Sequence, residues 1–488
     1  MTGFSVAVRR GAMELGILIV LCGMRSDIAM AAESARSLRA GAFAQDITPP
    51  EFPISVNGNM SDVLAMAAHD PIHARCLVLA NGETSLAIVV CDSCMLPREL
   101  LDEAKRFASE KTGIPTSHIL ISATHAHSCP TSTGVFQSEP DEKYVRWLPE
   151  QIAKGIEQAY KQLEPARVGW ATMDEPSQIY NRRWLLKPGE TNEDPFGGRT
   201  DRAVMNPGYS NPKMERQAGP IDPQISLLAV QSRTGRPMTV LANYSLHYVG
   251  GVGGAVISAD YFGEFCSRIA RHVGATEVKP AFVGIMSNGT SADVNNVNFS
   301  LKLGAKRQPY EQMSFVAEVV ASAAARAYDD IEYHNELPLK MSEAEVELGV
   351  RKPSAEELVA AEQRLTAVTD RPLKGLPLVY SRETMLLSKY PATVKAKLQA
   401  IRIGQLGIVS SPCETFTETG LALKKESPLK PTFTIELANG YNGYLPTPEQ
   451  HQLGGYETWR ARSSYLATDA EPKIRSTLLG LLKAVADE

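Results

Sequence analysis

The chain has 488 residues, 43% of them hydrophobic and 22% charged, with a formal net charge of -5. This is globular composition, long enough for one large or two medium domains. No basic run stands out, so nothing in the sequence argues for a nucleic-acid partner.

The start differs from the rest. Arg9 and Arg10 precede the short apolar stretch Leu15-Gly-Ile-Leu-Ile-Val-Leu-Cys-Gly-Met24, and small residues follow at Ala29-Met30-Ala31-Ala32. A basic start, a short hydrophobic core and an A-x-A site form a secretory signal. The expectation is a signal peptide over 1–31, cut after Ala31, and export to the periplasm or beyond. The apolar core is too short to span a bilayer, and no later run is long enough.

Seven cysteines fall to six without Cys22. An even count in an exported protein permits disulfides. Cys91-Asp-Ser-Cys94 has C-x-x-C spacing, but no second such pair completes a four-thiolate zinc site. Buried or paired structural cysteines are the favoured reading over a redox role.

Cys76 to Ala80 and Ser85 to Cys91 read as strands about an Asn81-Gly82 turn, a strong hairpin signal. Glu99 to Lys111 is helical by pattern and stops at Gly113. Ile119 to Ser122 is a strand, and Asp141 to Leu163 has helical periodicity. From Trp184 to Ile221 the chain is rich in Gly, Pro, Asn and charge, and reads as a long loop. Ile225 to Val230 and Met238 to Tyr244 are strands, Tyr261 to His272 a helix, Ala281 to Met286 a buried strand. Gln312 to Ile331 is an Ala-rich helix, and the chain breaks around Asn335 to Pro338, a boundary between sub-segments. Lys340 to Val350 reads as a strand, followed by a helix with a Ser354-x-x-Glu357 capping box. Val394 to Ile403 alternates as a half-exposed strand, and Leu406 to Ser410 is a buried one. Strands alternating with helices predict an α/β protein of packed layers.

The chemistry-bearing residues sit at the ends of apolar runs. Ile119-Leu-Ile-Ser-Ala-Thr-His125-Ala-His127-Ser-Cys-Pro130 ends a strand on two histidines. On extended backbone, residues i and i+2 face the same side. Neutral imidazole is the commonest protein metal ligand, so this is a candidate half of a zinc site. His247 lies in Asn243-Tyr-Ser-Leu-His247-Tyr-Val-Gly-Gly251, where glycine lets backbone approach a ligand closely. A lone histidine at a strand end is more often structural. Glu414, beyond Pro412, either faces a pocket or caps the following helix. Tyr441, Tyr444 and Tyr456 lie in a Gly/Asn/Pro-rich segment, where tyrosines usually pack over loops.

Taken together, these motifs resemble the neutral/alkaline non-lysosomal ceramidase family. The resemblance rests on the His-x-His-Ser-x-Pro run, the Asn-Tyr-Ser-Leu-His247 strand end, Glu414 with Thr415, and Tyr444. Asp46-Ile-Thr-Pro, Asp260-Tyr261 and Ala292-Asp293-Val294 extend it, from about Ala42 to about Tyr456. It implies a layered mixed-sheet catalytic domain over 38–488, without the C-terminal immunoglobulin-like domain of those enzymes. It also implies one zinc ion per chain, held by His125, His247, Glu414 and Tyr444. His127, Arg182 and Tyr456 fall on the family's other pocket positions. The implied activity is zinc-dependent hydrolysis of a C–N amide bond in an N-acyl lipid such as the sphingolipid ceramide.

The implied chemistry is consistent. Two neutral imidazoles and one carboxylate leave zinc a net positive charge, and zinc lowers the pKa of water to roughly 7. His127 is placed to relay a proton to the leaving amine, and Arg182 or Tyr456 to steady an oxyanion. One departure matters. The ceramidases carry Gly-Asp-Val-Ser-Pro-Asn, with an essential serine; here Ala292-Asp-Val-Asn295-Asn296 puts Asn295 in that place. An amide is no nucleophile, although its NH2 donates hydrogen bonds. An esterase or lactonase on the same site, or an inactive ligand-binding relative, are therefore the competing readings.

Overall fold

The computed structural model describes residues 37–487; the expected signal peptide lies outside them. The main sheet has eight strands: β1 (Arg39–Asp46), β2 (His73–Ala80), β3 (Ser85–Cys91), β4 (Ile119–Ala123), β5 (Glu164–Asp174), β6 (Gln224–Ser232), β7 (Pro237–Tyr244) and β8 (Val283–Asn288). Their order is β8-β7-β6-β5-β1-β2-β3-β4. A parallel pair forms each edge, β3 with β4 and β7 with β8. The pairs between them are antiparallel. The sheet folds over so that β8 approaches β2, β3 and β4.

A second sheet begins at Leu339. It runs β9 (Leu339–Gly349), β10 (Thr393–Ile403), β11 (Leu406–Ser410), β12 (Thr432–Ile435), in that order. Helices α1 (Arg98–Thr112), α2 (Glu142–Lys161), α3 (Asp260–His272) and α4 (Glu311–Asp329) cover the outer face of the main sheet. Helix α5 (Ala355–Thr366) starts on the expected capping box, Ser354 with Glu357.

Alternation explains the layering. In β2, Cys76 and Val78 pack toward the helices, while Leu77 and Leu79 face the second sheet. In β3, Ala87, Val89 and Cys91 take the helix side, and Leu86, Ile88 and Val90 the other. Both faces are covered, so these strands are apolar throughout. In β10, Ile401 and Ile403 meet the main sheet. Leu398 and Ala400 turn toward a last helix, Ala470–Ala486, through Ile474, Leu478 and Leu482. The order of layers is helices, main sheet, second sheet, helix. Each fully buried Leu, Ile or Val contributes about 1.5–3 kcal/mol.

Two features depart from the sequence expectation. Within the stretch read as a long loop, Arg183–Leu186, Ala203–Met205 and Met214–Gln217 form a three-stranded sheet. Trp184, Leu185 and Leu186 are all buried, which erases the alternation that marks a half-exposed strand. Strand β1 also lacks a strong signal, because it is built from small residues. A Cβ on Gly41 would lie 2.1 Å from the Ala159 carbonyl, so α2 packs on β1 at a distance only glycine allows. The cysteines Cys76, Cys91, Cys94, Cys129, Cys266 and Cys413 are all free and buried. No helix among the described residues is long and apolar enough to cross a membrane.

Candidate metal centre

Residues just past β4 and β7 converge. His125 follows β4 by two residues with φ 74, so the extended backbone expected to carry both histidines ends before it. Its Nδ1–H donates to the Cys94 carbonyl at 2.8 Å. His247 follows β7, and its Nδ1–H donates to the Ser291 carbonyl at 3.1 Å. These two hydrogen bonds select the tautomer in which each Nε2 carries a lone pair, the arrangement a ligating histidine needs. The two ring centroids are 4.4 Å apart.

Glu414 and Tyr444 come from a second direction. The two-residue strands Glu414–Thr415 and Tyr444–Leu445 pair in parallel, with Glu414 opposite Tyr444. Tyr441 donates its hydroxyl to Glu414 Oε1 at 2.9 Å. The other oxygen, Oε2, is buried without a hydrogen-bond donor and lies 3.3 Å from His125 Nε2. His127 Nε2 is 3.0 Å from the same His125 nitrogen. With Nδ1 of His125 already donating, acceptor atoms face one another here, and a proton or a metal cation must lie among them.

His125, His247 and Glu414 are all buried, with their ligand atoms within 4.8 Å of one another. Two imidazoles and a carboxylate are a zinc-type donor set. Cys94, His125 and His127 form a second such group. Burial pushes the Cys94 thiol pKa up, which disfavours the thiolate a metal needs. The first group is the better centre.

The electrostatics follow from burial and contact. Burial works against charging His125, and the Glu414 carboxylate overrides it, raising its pKa well above the ordinary value. Burial raises the Glu414 carboxyl, and His125 beside it more than reverses this, for a net lowering. His247 and His127 are held well below the usual range, by burial first and then by the charges of Arg182 and His125. Burial, reinforced by Glu414, raises the Tyr444 phenol, while Arg182 pulls the other way.

Arg182 sits between two short strands, its backbone N–H bonded to the Asp293 carbonyl at 2.8 Å. Its Nη2 donates to the Tyr444 hydroxyl at 3.1 Å, and its Nε to Glu457 Oε1 at 3.2 Å. Glu457 also accepts from Arg183 at 2.6 Å, so one buried carboxylate fixes both guanidinium groups. Tyr456 packs its ring edge-on to Tyr444, 5.7 Å between centroids. His127 stacks on Tyr248 at 3.7 Å. Gly58 lies under His127 with φ 97, and a Cβ there would fall 2.3 Å from Nδ1.

The structure thus gathers His125, His127, His247, Glu414, Tyr444, Arg182 and Tyr456 in one contact chain. Asn295 makes its side-chain hydrogen bonds outside this set. Its Nδ2 donates to Asn206 at 2.9 Å and its Oδ1 accepts from Val297 N at 2.9 Å. Its neighbour Asp293 is structural, accepting from Thr417 at 2.8 Å and Asn181 at 2.8 Å. Asp260 caps the turn after His247, accepting from the N–H groups of Val249 and Gly250 at 2.9 and 2.8 Å. Sequence reasoning left Tyr441 as loop packing, Cys94 as a structural thiol and Glu457 unread. Their partners lie far off in the chain, so no local pattern marks them.

No protein-family model and no curated protein matches the sequence. Solved structures do match in fold. The crystal structure of neutral ceramidase from Pseudomonas aeruginosa aligns with a TM-score of 0.68 at 18% identity, covering 92% of this chain and 75% of that one. A ceramidase complexed with C2 aligns with a TM-score of 0.69 at 16% identity and the same coverage. The resemblance seen in the motifs therefore extends to the fold, a mixed α/β architecture of the neutral ceramidase type.

Proposed function

We propose that this protein is an exported zinc-dependent hydrolase that cleaves a C–N amide bond, with N-acyl lipids such as ceramide as the leading substrate class. The observation that carries the reading is the convergence of His125, His247 and Glu414, buried together with Glu414 Oε2 3.3 Å from His125 Nε2. The ceramidase-type fold supports it.

His125, His247, Glu414 and Tyr444 would hold the zinc ion, which would supply Lewis acidity and make bound water more acidic. His127, with its Nε2 3.0 Å from His125 Nε2, would take the proton of the attacking water and return it to the departing amine nitrogen. Water oxygen bonds to the carbonyl carbon, the C–N bond breaks, and a carboxylic acid and an amine leave. Arg182, fixed by Glu457, presents positive charge beside Tyr444 for the developing oxyanion. Tyr456, packed edge-on against Tyr444, is the other candidate for steadying the oxyanion.

Metal content by elemental mass spectrometry on the untagged mature chain tests this first. Near one zinc per chain, with turnover in a screen of N-acyl lipids, peptides and esters, is the expected result. A chain that takes up no zinc on addition of the ion overturns the reading. Turnover of esters or lactones alone keeps the centre and changes the bond cleaved. The engaged amide of Asn295 favours one further reading, a ligand-binding relative without catalysis. Ceramide cleavage that appears only in Asn295→Ser selects that alternative or a different hydrolase.

A further inference from the structure

One buried carboxylate near the centre has no role in the chemistry above. Glu436 directly follows β12 and is fully buried. Its backbone N–H donates to the Asn288 carbonyl at 3.1 Å. Its side chain reaches two other segments. Oε1 accepts from the Ser291 hydroxyl at 2.6 Å, and Oε2 accepts from the Thr415 backbone N–H at 2.7 Å.

Both partners adjoin proposed ligands. Thr415 is the neighbour of Glu414 in the strand opposite Tyr444. Ser291 offers the carbonyl that takes the His247 Nδ1–H, and its hydroxyl lies 3.4 Å from the same nitrogen. Asn288 Nδ2 donates to that hydroxyl at 3.0 Å, so Ser291 is held at each end. A buried carboxylate is costly unless its donors are well placed. Here both donors belong to the metal-centre segments.

We infer that Glu436 is a positioning residue, a clamp that ties the segment orienting His247 to the segment carrying Glu414. The inference rests on the metal-centre reading above. The side chain bridges the Ser291 hydroxyl and the Thr415 backbone N–H, so deleting it frees each segment from the other while leaving the Ser291 carbonyl in place. Glu436→Ala removes both bridging bonds, whereas Glu436→Gln keeps a group of the same size that can still span them.

The experiment uses the full chain, wild type against Glu436→Ala, Glu436→Gln and Ser291→Ala. Zinc affinity is measured by chelator competition, and nitrogen–proton spectra of the imidazoles are recorded without metal. Glu436→Ala and Ser291→Ala are each expected to bind zinc about 10- to 100-fold more weakly and to shift or broaden the His247 signals, and Glu436→Gln to recover part of the loss. Unchanged zinc affinity in Glu436→Ala or, if that variant does not fold, in Ser291→Ala overturns the inference. A wild-type chain that binds no zinc defeats the metal reading alone; the metal-free His247 spectra then decide, and signals unchanged in the variants overturn the inference.

Discussion

Glu414 and Tyr444 stand opposite each other across a pair of two-residue parallel strands. Backbone pairing, not side-chain packing, sets a carboxylate beside a phenol. Tyr444→Phe therefore leaves the strand pair and the edge-on contact with Tyr456 in place and removes one oxygen. The expected outcome is a folded protein that still binds zinc, with weaker affinity by chelator competition. Loss of the fold would contradict it.

The imidazole pair carries the sharpest test. His125→Ala and His247→Ala are each expected to abolish stoichiometric zinc and turnover. His118→Ala is expected to do neither, since its Nδ1 bonds the Ser85 carbonyl at 3.1 Å, away from the centre. Full metal retention in either ligand variant would sink the assignment. Because ligating imidazoles must be unprotonated, zinc and activity should both fall on the acid side. A rate still maximal near pH ~4 would contradict that.

Tyr441→Phe removes the donor to Glu414 Oε1 while keeping the ring. Groups that orient ligands are worth about 10- to 100-fold in metal affinity. A drop in that range, with an unchanged far-UV spectrum, is the expected result of zinc titration.

Gly58→Ala introduces a methyl into a position with φ 97 and against the His127 ring. Backbone strain and overpacking together should cost about 1–3 kcal/mol in urea unfolding. The same shift displaces His127 and not the ligands, so turnover should fall while zinc content stays near one. Loss of zinc together with activity would place His127 in the coordination set.

Lys105 of α1 is buried, its ammonium donating to Asn439 Oδ1 at 2.7 Å. Burial lowers its pKa to about 7. An unfolded lysine titrates near 10.4, so between about pH 7 and 10.4 the unfolded chain holds a proton the folded chain lacks. Its contribution to stability therefore rises with pH through that window and is least below it. Lys105→Met should flatten this rise and stabilise the protein at neutral pH. Denaturant midpoints at about pH 7 and 9.5 check it, and identical slopes for both proteins would refute it.

Legibility in the sequence tracked how local each cause is. The β2–β3 hairpin is written in two apolar runs and an Asn-Gly turn. His125, His247 and Glu414 stand out because each follows an apolar strand, where a polar residue meets a pocket. Strand β1 was not legible, because Gly41 is dictated by a helix that arrives much later in the chain. Arg182, and the pocket role of Tyr456, came only with the family resemblance. Glu457 and Tyr441 carry no local mark, since each is defined by a partner on a distant segment. Glu436 follows an apolar strand as Glu414 does, so the same signal was present and went unused.

The proposed donors come from four stretches of chain far apart in sequence, around positions 125, 247, 414 and 444. An ion bound there is a cross-link. It closes long loops in the way a disulfide does, and the cysteines among the described residues form none. Binding free energy would then be shared with folding, so stripping the ion should loosen the chain as a whole as well as silence its chemistry. In the exported protein proposed above, resistance to proteases would become a property of the metal supply.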